Sequence, residues 1–194
     1  MNTLPITREQ ALGLIHKYNK DQHDIFHYLE SEAVMRQLAK TLGEDEDYYA
    51  MLGLLHDLDW GITKENPQEH LTKAPKILKD AGFDDKFIEI IISHGYGFDC
   101  AGLIDKKRTK KEEFALASSE TITGLINSYA LMRGRKVSDM ESEGLKKKFK
   151  DKRFAAAIRR DVIEEAQNLG LTLDEFFKIA IEGIKNIASN VGLE

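Results

Sequence analysis

The chain predicts an all-α fold, and three observations carry that expectation. Proline is scarce, with 3 among 194 residues, and Ala, Leu, Ile, Lys and Glu dominate, a composition that favours helix. Apolar residues recur at helical intervals through most of the chain. Start and stop signals punctuate those runs, from the capping-box spacing at Thr7-x-x-Gln10 and Thr172-x-x-Glu175 to the glycine at position 43. Hydrophobic residues make up 42% of the chain, enough for a core, and its length fits one domain of ordinary size.

The first helix begins at Thr7, where the Thr and Gln10 side chains can each satisfy a free backbone N–H of the other. Ala11, Leu14, Ile15 and Tyr18 form its apolar face, and Asn19-Lys20-Asp21 breaks it. A second helix is expected from about Gln22 to Leu42, with Phe26, Leu29, Ala33, Val34 and Leu38 facing inward and Gly43 as its C-terminal cap. His27, Val34 and Leu38 share a flank of it, so His27 points toward the margin of the core. A third helix from Asp45 or Glu46 carries Tyr48, Met51, Leu52, Leu54 and Leu55 down to His56-Asp57. Asn66-Pro67-Gln68-Glu69 is a strong start signal, Asn as N-cap and Pro at the first position, and His70 falls in the first turn of the helix it predicts. Pro75 forces a fresh start, giving a helix over about 75–81 closed by Gly82. Another runs from Asp84 through Phe87, Ile88, Ile90, Ile91 and Ile92 to Ser93-His94-Gly95.

Residues 95–110 read as a loop, loosened by three glycines and locally basic at Lys106-Lys107-Arg108 and Lys110-Lys111. Such a run is ordinarily a solvated surface, and beside a metal site it could also attract an anion. A long helix over about Lys111 to Met132 carries Phe114, Leu116, Leu125, Ile126 and Leu131. Glu120 lies within it, between Ala117 and Gly124 on its own face. Beyond a break at Arg133-Gly134-Arg135, a basic helix leads into Phe154, Ala157, Ile158, Val162 and Ile163 and ends at Gly170. Thr172 opens a last helix that continues to Gly192. No internal repeat or low-complexity linker divides the chain. It reads as a single domain over 1–194, with a unit of about 7–132 and C-terminal helices over about 139–192 packed on it.

A net charge of −5 argues against a nucleic-acid polymer as partner, because phosphate neutralisation needs a basic surface. No apolar run reaches membrane-spanning length, and the opening residues do not read as a signal peptide. With a single cysteine, Cys100, no internal disulfide can form. These features lead us to expect a cytoplasmic protein without membrane partners.

The stretch Met51-Leu52-Gly53-Leu54-Leu55-His56-Asp57-Leu58-Asp59-Trp60 is the most informative. Its apolar run delivers two adjacent polar residues out of a helix that should be buried, and aspartate is almost never buried unless it is paired or bound to a metal. An imidazole beside a carboxylate suits a divalent cation; a helix end with Asp57 as a cap is the plainer alternative. Other ligand-type residues at helix ends or inward flanks are His27, His70, His94 and Glu120, while His16 and His23 read as ordinary interfacial histidines.

In order along the chain, His27, His56-Asp57, His70, His94 and Glu120 resemble the ligand pattern of the HD superfamily of metal-dependent phosphohydrolases. Similarity to small predicted HD-superfamily hydrolases of bacteria and archaea extends to Leu54–Trp60, Ala115–Ile126, Lys147–Lys152 and the closing helix. In one departure, Glu120-Thr121-Ile122-Thr123-Gly124 stands where relatives have Asp-Glu-x-Thr-Gly, and the Gly of the His-Asp-x-Gly motif is replaced by Asp59. The resemblance implies an HD-domain helical bundle with a C-terminal extension and one or two divalent metal ions, of Mn, Fe, Ni, Co, Zn or Mg. Asp57 would bridge them, with His27, His56 and Glu120 on one and His70 and His94 on the other. Asp57 and Asp59 are the candidate catalytic carboxylates, Asp59 as acceptor for a ligand histidine or, alternatively, as an exposed turn carboxylate. The implied activity is hydrolysis of a phosphate ester of a small molecule or nucleotide, so the expected partner is a small anionic substrate. The alternatives are a di-iron oxygenase of the same superfamily and a catalytically weak domain kept as a binding module.

Overall fold

A computed structural model of the protein describes residues 3–194, which hold helices and turns and no β-strand. Helix α1 (Arg8–Tyr18) starts on the expected capping box of Thr7 and Gln10. Helix α2 (Gln22–Leu42) is N-capped by Asp21 and closed by Gly43 in the left-handed conformation, φ 70°. Helix α3 (Glu46–Leu55) is capped by Asp45. After it come a single turn α4 (Trp60–Thr63), a 3-10 turn at Pro67–Glu69, α5 (Ala74–Asp80) and α6 (Asp85–Ser93). Helix α7 (Lys111–Met132) is the longest, followed by α8 (Ser142–Lys150), α9 (Arg160–Glu164), a 3-10 turn at Glu165–Leu169, and α10 (Leu173–Lys185), which opens on the capping box of Thr172 and Glu175.

Helix α2 is the axis of the molecule: α3, α7 and α10 all pack against it. Two glycines set how closely. A Cβ on Gly53 of α3 would lie 2.5 Å from the Ser31 carbonyl oxygen, and one on Gly183 of α10 would lie 2.8 Å from that of Ala33. The backbones therefore touch at both crossings, with no side chain between them. Helices α8 and α9 complete the packing against α7, so the C-terminal helices cover the same core. None of the helices is long and apolar enough to cross a membrane.

Several expectations need correction. The deepest side of α2 is Ile25, Tyr28, Val34, Met35, Leu38 and Ala39, while Phe26, Leu29 and Ala33 are only half-buried. With helices on three sides, α2 buries more than one stripe, and apolar spacing alone could not choose the centre. Asn66 makes no cap; its amide donates to Glu69, the segment it opens is a single 3-10 turn, and His70 lies just past that turn. Residues 151–159 are not helical. The Arg160 guanidinium donates there to the carbonyls of Phe149, Asp151, Phe154, Ala155 and Ile158, an alternative to the helical ladder. Leu131 is exposed, unlike Leu116, Leu125 and Ile126 of the same helix, and the last helix stops at Lys185, with a separate 3-10 turn over Ala188–Val191 ending at Gly192.

Candidate metal centre

The run Met51–Leu55 is fully apolar and buried, so α3 ends inside the protein and its last carbonyls need partners there. His56, wholly buried, supplies one: its Nδ1 lies 2.8 Å from the Gly53 carbonyl oxygen. Helix α6 ends in the same way, with His94 Nδ1 2.7 Å from the Ile91 carbonyl oxygen. A carbonyl can only accept, so both rings carry their proton on Nδ1 and present the Nε2 lone pair. His70 places Nδ1 3.0 Å from Asp59 Oδ1, a carboxylate, and the same tautomer follows. His27 Nδ1 lies 3.0 Å from Thr123 Oγ1. That hydroxyl already donates to the Glu120 carbonyl at 2.7 Å, so it accepts from His27, and the fourth ring too presents Nε2.

These four nitrogens converge in two pairs on one carboxylate. His27 Nε2 and His56 Nε2 are 3.1 Å apart, and lie 3.9 and 3.5 Å from Asp57 Oδ2. His70 Nε2 and His94 Nε2 are 3.2 Å apart, and lie 3.2 and 3.0 Å from Asp57 Oδ1. Each oxygen of Asp57 thus faces its own histidine pair. Two nitrogens bound to one cation at about 2.0–2.1 Å, at tetrahedral or octahedral angles, sit roughly 2.9–3.4 Å apart. Both pairs fall within that range. The groups that can hold a metal are accordingly His27, His56 and Asp57, and Asp57, His70 and His94. Glu120 stands just outside the first, its Oε2 4.0 Å from His27 Nε2.

The donor set itself fits a cation. Four lone pairs and a carboxylate at this spacing repel one another unless positive charge lies between them. A proton is the smallest such charge, and the site is built to attract one. Burial opposes ionisation of His70, but hydrogen bonds to Asp57 and Asp59 outweigh it and push the imidazole up to about 10. At the other pair burial prevails over the Asp57 charge, driving His56 down to about 3 and lowering His27. Asp57 is held well below the usual carboxylate range; burial works against this, and the surrounding histidines prevail. Burial pushes the Glu120 carboxyl up to about 8, with the Thr121 hydroxyl bond acting against it and the Asp57 charge adding to it.

Asp59 is not an exposed turn carboxylate: it is wholly buried behind His70. Besides that ring, Oδ1 accepts from the Leu71 N–H at 3.1 Å, and Oδ2 from the N–H groups of Lys73 and Ala74, both at 2.9 Å. It therefore caps α5, which has no side-chain cap of its own, and holds the turn at His70. Leu71 adopts φ 68° there despite being a buried leucine, a conformation that persists only where the surroundings impose it. The Trp60 ring meets His70 edge-on at 5.2 Å. Asn19 fastens the other side of the loop: its Oδ1 accepts from Gly61 N–H and Tyr28 Oη, and its Nδ2 donates to the Leu58 carbonyl.

The sequence points to all the ligand-type residues gathered here and, among their supports, to Asp59 behind a ligand histidine, but not to Thr123 or Asn19. Thr123 and Asn19 are separated from their partners by 96 and up to 42 positions, so no local pattern reveals them. The basic run also reads differently in three dimensions. Lys106 and Lys107 are exposed as expected, but the Arg108 side chain is only 5% exposed, and all three of its nitrogens donate, in five hydrogen bonds. His27 is the most open of the six, with 30% of its side chain exposed against 16% for Asp57 and Glu120. The centre thus opens on the α2–α7 side.

Among known families, the model of the HD domain matches residues 25–126. That span runs from α2 into α7 and contains His27, His56, Asp57, Asp59, His70, His94 and Glu120. No curated protein and no solved structure matches the chain.

Proposed function

The chain belongs to the HD-domain family, and from that premise we propose that it is a metal-dependent phosphohydrolase acting on a phosphate ester of a small molecule or nucleotide. The observation that carries this reading is the Asp57 carboxylate, with one oxygen turned to each of two histidine pairs. That arrangement suits two divalent cations, one on His27, His56 and Asp57 with Glu120 beside them, the other on Asp57, His70 and His94. When bound, such cations supply Lewis acidity toward a phosphoryl oxygen and acidify water.

The protein's own groups do the rest. Asp57 fixes the separation of the two halves. The Gly53, Ile91, Asp59 and Thr123 acceptors lock the four rings in the tautomer that keeps Nε2 free. Asp59 has both oxygens engaged, so its role is to orient His70 and not to touch substrate. His27 and Glu120 line the open side, by which an anionic substrate would enter, while buried Tyr28 meets the His56 ring edge-on at 5.9 Å on another side of the centre. The side chains that surround it offer imidazole and carboxylate ligands, compatible with Mn, Fe, Ni, Co, Zn or Mg.

Elemental analysis of protein purified without chelator tests this, joined to a phosphatase assay over nucleotides and sugar phosphates. We expect up to two metal ions per chain and phosphate release that a chelator abolishes. His56→Ala and Asp57→Ala should each lose most of the metal and the activity while keeping the helical circular dichroism. Full metal occupancy in either variant would remove the central assignment. Oxygen uptake by a reduced, iron-loaded sample with no phosphate release would replace the reading by an oxygenase.

A further inference from the structure

Arg108 ties the centre to a part of the chain that the HD match does not cover. Its Nε and Nη2 bind both oxygens of Glu165, at 2.5 and 2.9 Å, in the 3-10 turn that follows α9. Its Nη1 donates to the carbonyls of Ser93, His94 and Tyr96, at 2.8, 3.2 and 2.9 Å. Those carbonyls lie at and just past the C-terminus of α6, where helix geometry leaves acceptors without partners. One guanidinium therefore gathers the backbone on both sides of His94. The other histidine pair is held differently: His27 stands on α2 and His56 at the end of α3, and the two helices lock directly at Gly53.

A buried guanidinium is stable in this position only while its charge is matched. Without Glu165, Arg108 would be drawn toward water and release the three carbonyls. The turn at 93–96 would then loosen, and with it the direction of the His94 ring, whose Nε2 must stay beside His70 and Asp57. We propose that Arg108 is a positioning residue for His94, held in place by Glu165, so that the C-terminal helices set the cation affinity of the His70/His94 half of the centre. This rests on the two-cation reading given above.

The test is a titration of the chelator-stripped full chain with Co²⁺, followed by calorimetry, with thermal unfolding of the stripped protein in parallel. Glu165→Ala should weaken one of the two sites by about tenfold or more, the scale on which outer partners of metal ligands act, and leave the other within about twofold. In a His70→Ala background, where that half is already lost, Glu165→Ala should change nothing further; in a His27→Ala background the loss should reappear. Glu165→Gln, which keeps the volume and one acceptor, should show a smaller loss at the same site and serves if the alanine variant does not fold. Equal weakening of both sites, or a lower unfolding temperature with unchanged affinities, would make the pair merely structural and overturn this inference alone. A wild type that binds no second Co²⁺ would overturn the two-cation reading, and this inference with it.

Discussion

Glu120 is the residue whose chemistry is most exposed to question, because a glutamate stands where similar proteins carry aspartate. The longer side chain reaches to 4.0 Å from His27 Nε2, the separation of ligands on opposite sides of one cation at bond lengths near 2 Å. Its ring of neighbours is tight: the Thr121 hydroxyl donates to it, and the next residue on its face, Thr123, holds His27. Glu120→Ala should therefore weaken the cation of the His27/His56 half by about tenfold and leave the His70/His94 half unaltered. Metal titration of the variant checks this, and unchanged affinity at both sites would remove Glu120 from the centre. Asp59 illustrates the opposite case at the same scale, a carboxylate near the cations whose four contacts all point away from them.

At the scale of helices, the centre depends on α2 and α3 lying in backbone contact. The Gly53 carbonyl holds His56, and the Gly53 Cα faces the Ser31 carbonyl across the crossing. Gly53→Ala would place a methyl 2.5–2.9 Å from Ser31 and Glu32 backbone atoms, and backbone cannot rotate aside as a side chain can. We expect a loss of about 3 kcal/mol, from the usual range for overpacking, read as a fall in Tm of about 6–12 °C for a chain of this size. Gly13→Ala is the control. A Cβ there meets nothing within 4 Å, and in the middle of α1 alanine should raise stability by about 0.5–1 kcal/mol. Equal effects of the two substitutions would mean that the α2–α3 contact is slack.

Over the whole molecule, stability carries a buried charge that the centre does not use. Glu30 is 1% exposed and takes a hydrogen bond from Asn127 at 2.6 Å. Burial pushes its carboxyl up to about 7, with the Asn127 bond acting against it. Between its ordinary value of 4.5 and 7, the folded protein keeps a proton that the unfolded chain has lost. Stability from this group is therefore greatest below about pH 4.5, declines through that window and is at its lowest above it, a difference on the order of 3 kcal/mol. Glu30→Gln should match the wild type near pH 5 and exceed it at pH 8, measured by urea unfolding of metal-free protein at both values. A gap that does not change with pH would show that Glu30 does not titrate there.

The sequence alone determined the helices whose ends are written locally. Thr7 with Gln10, Asp21, Gly43, and Thr172 with Glu175 each act on backbone groups a few positions away, so α1, α2 and the start of α10 could be placed from neighbours in the chain. It also named His27, His56, Asp57, His70, His94 and Glu120 as a group, since ligand-type residues at the ends of apolar helices stand out against the buried positions around them. The pairing of His27 with His56 and of His70 with His94 was implied by the family resemblance, and the structure gives its physical basis, one oxygen of Asp57 facing each pair. Tertiary structure alone decided the roles of Thr123 and Arg108 and the helix cap that Asp59 makes besides its bond to His70. The Asp59 side chain caps a helix that begins fifteen residues later, Thr123 meets His27 across the α2–α7 packing, and Arg108 leaves a run of exposed lysines to bind Glu165. Each of these is a hydrogen bond between groups well separated along the chain, and what lies within reach is set by how the helices pack and not by the order of residues along any one of them.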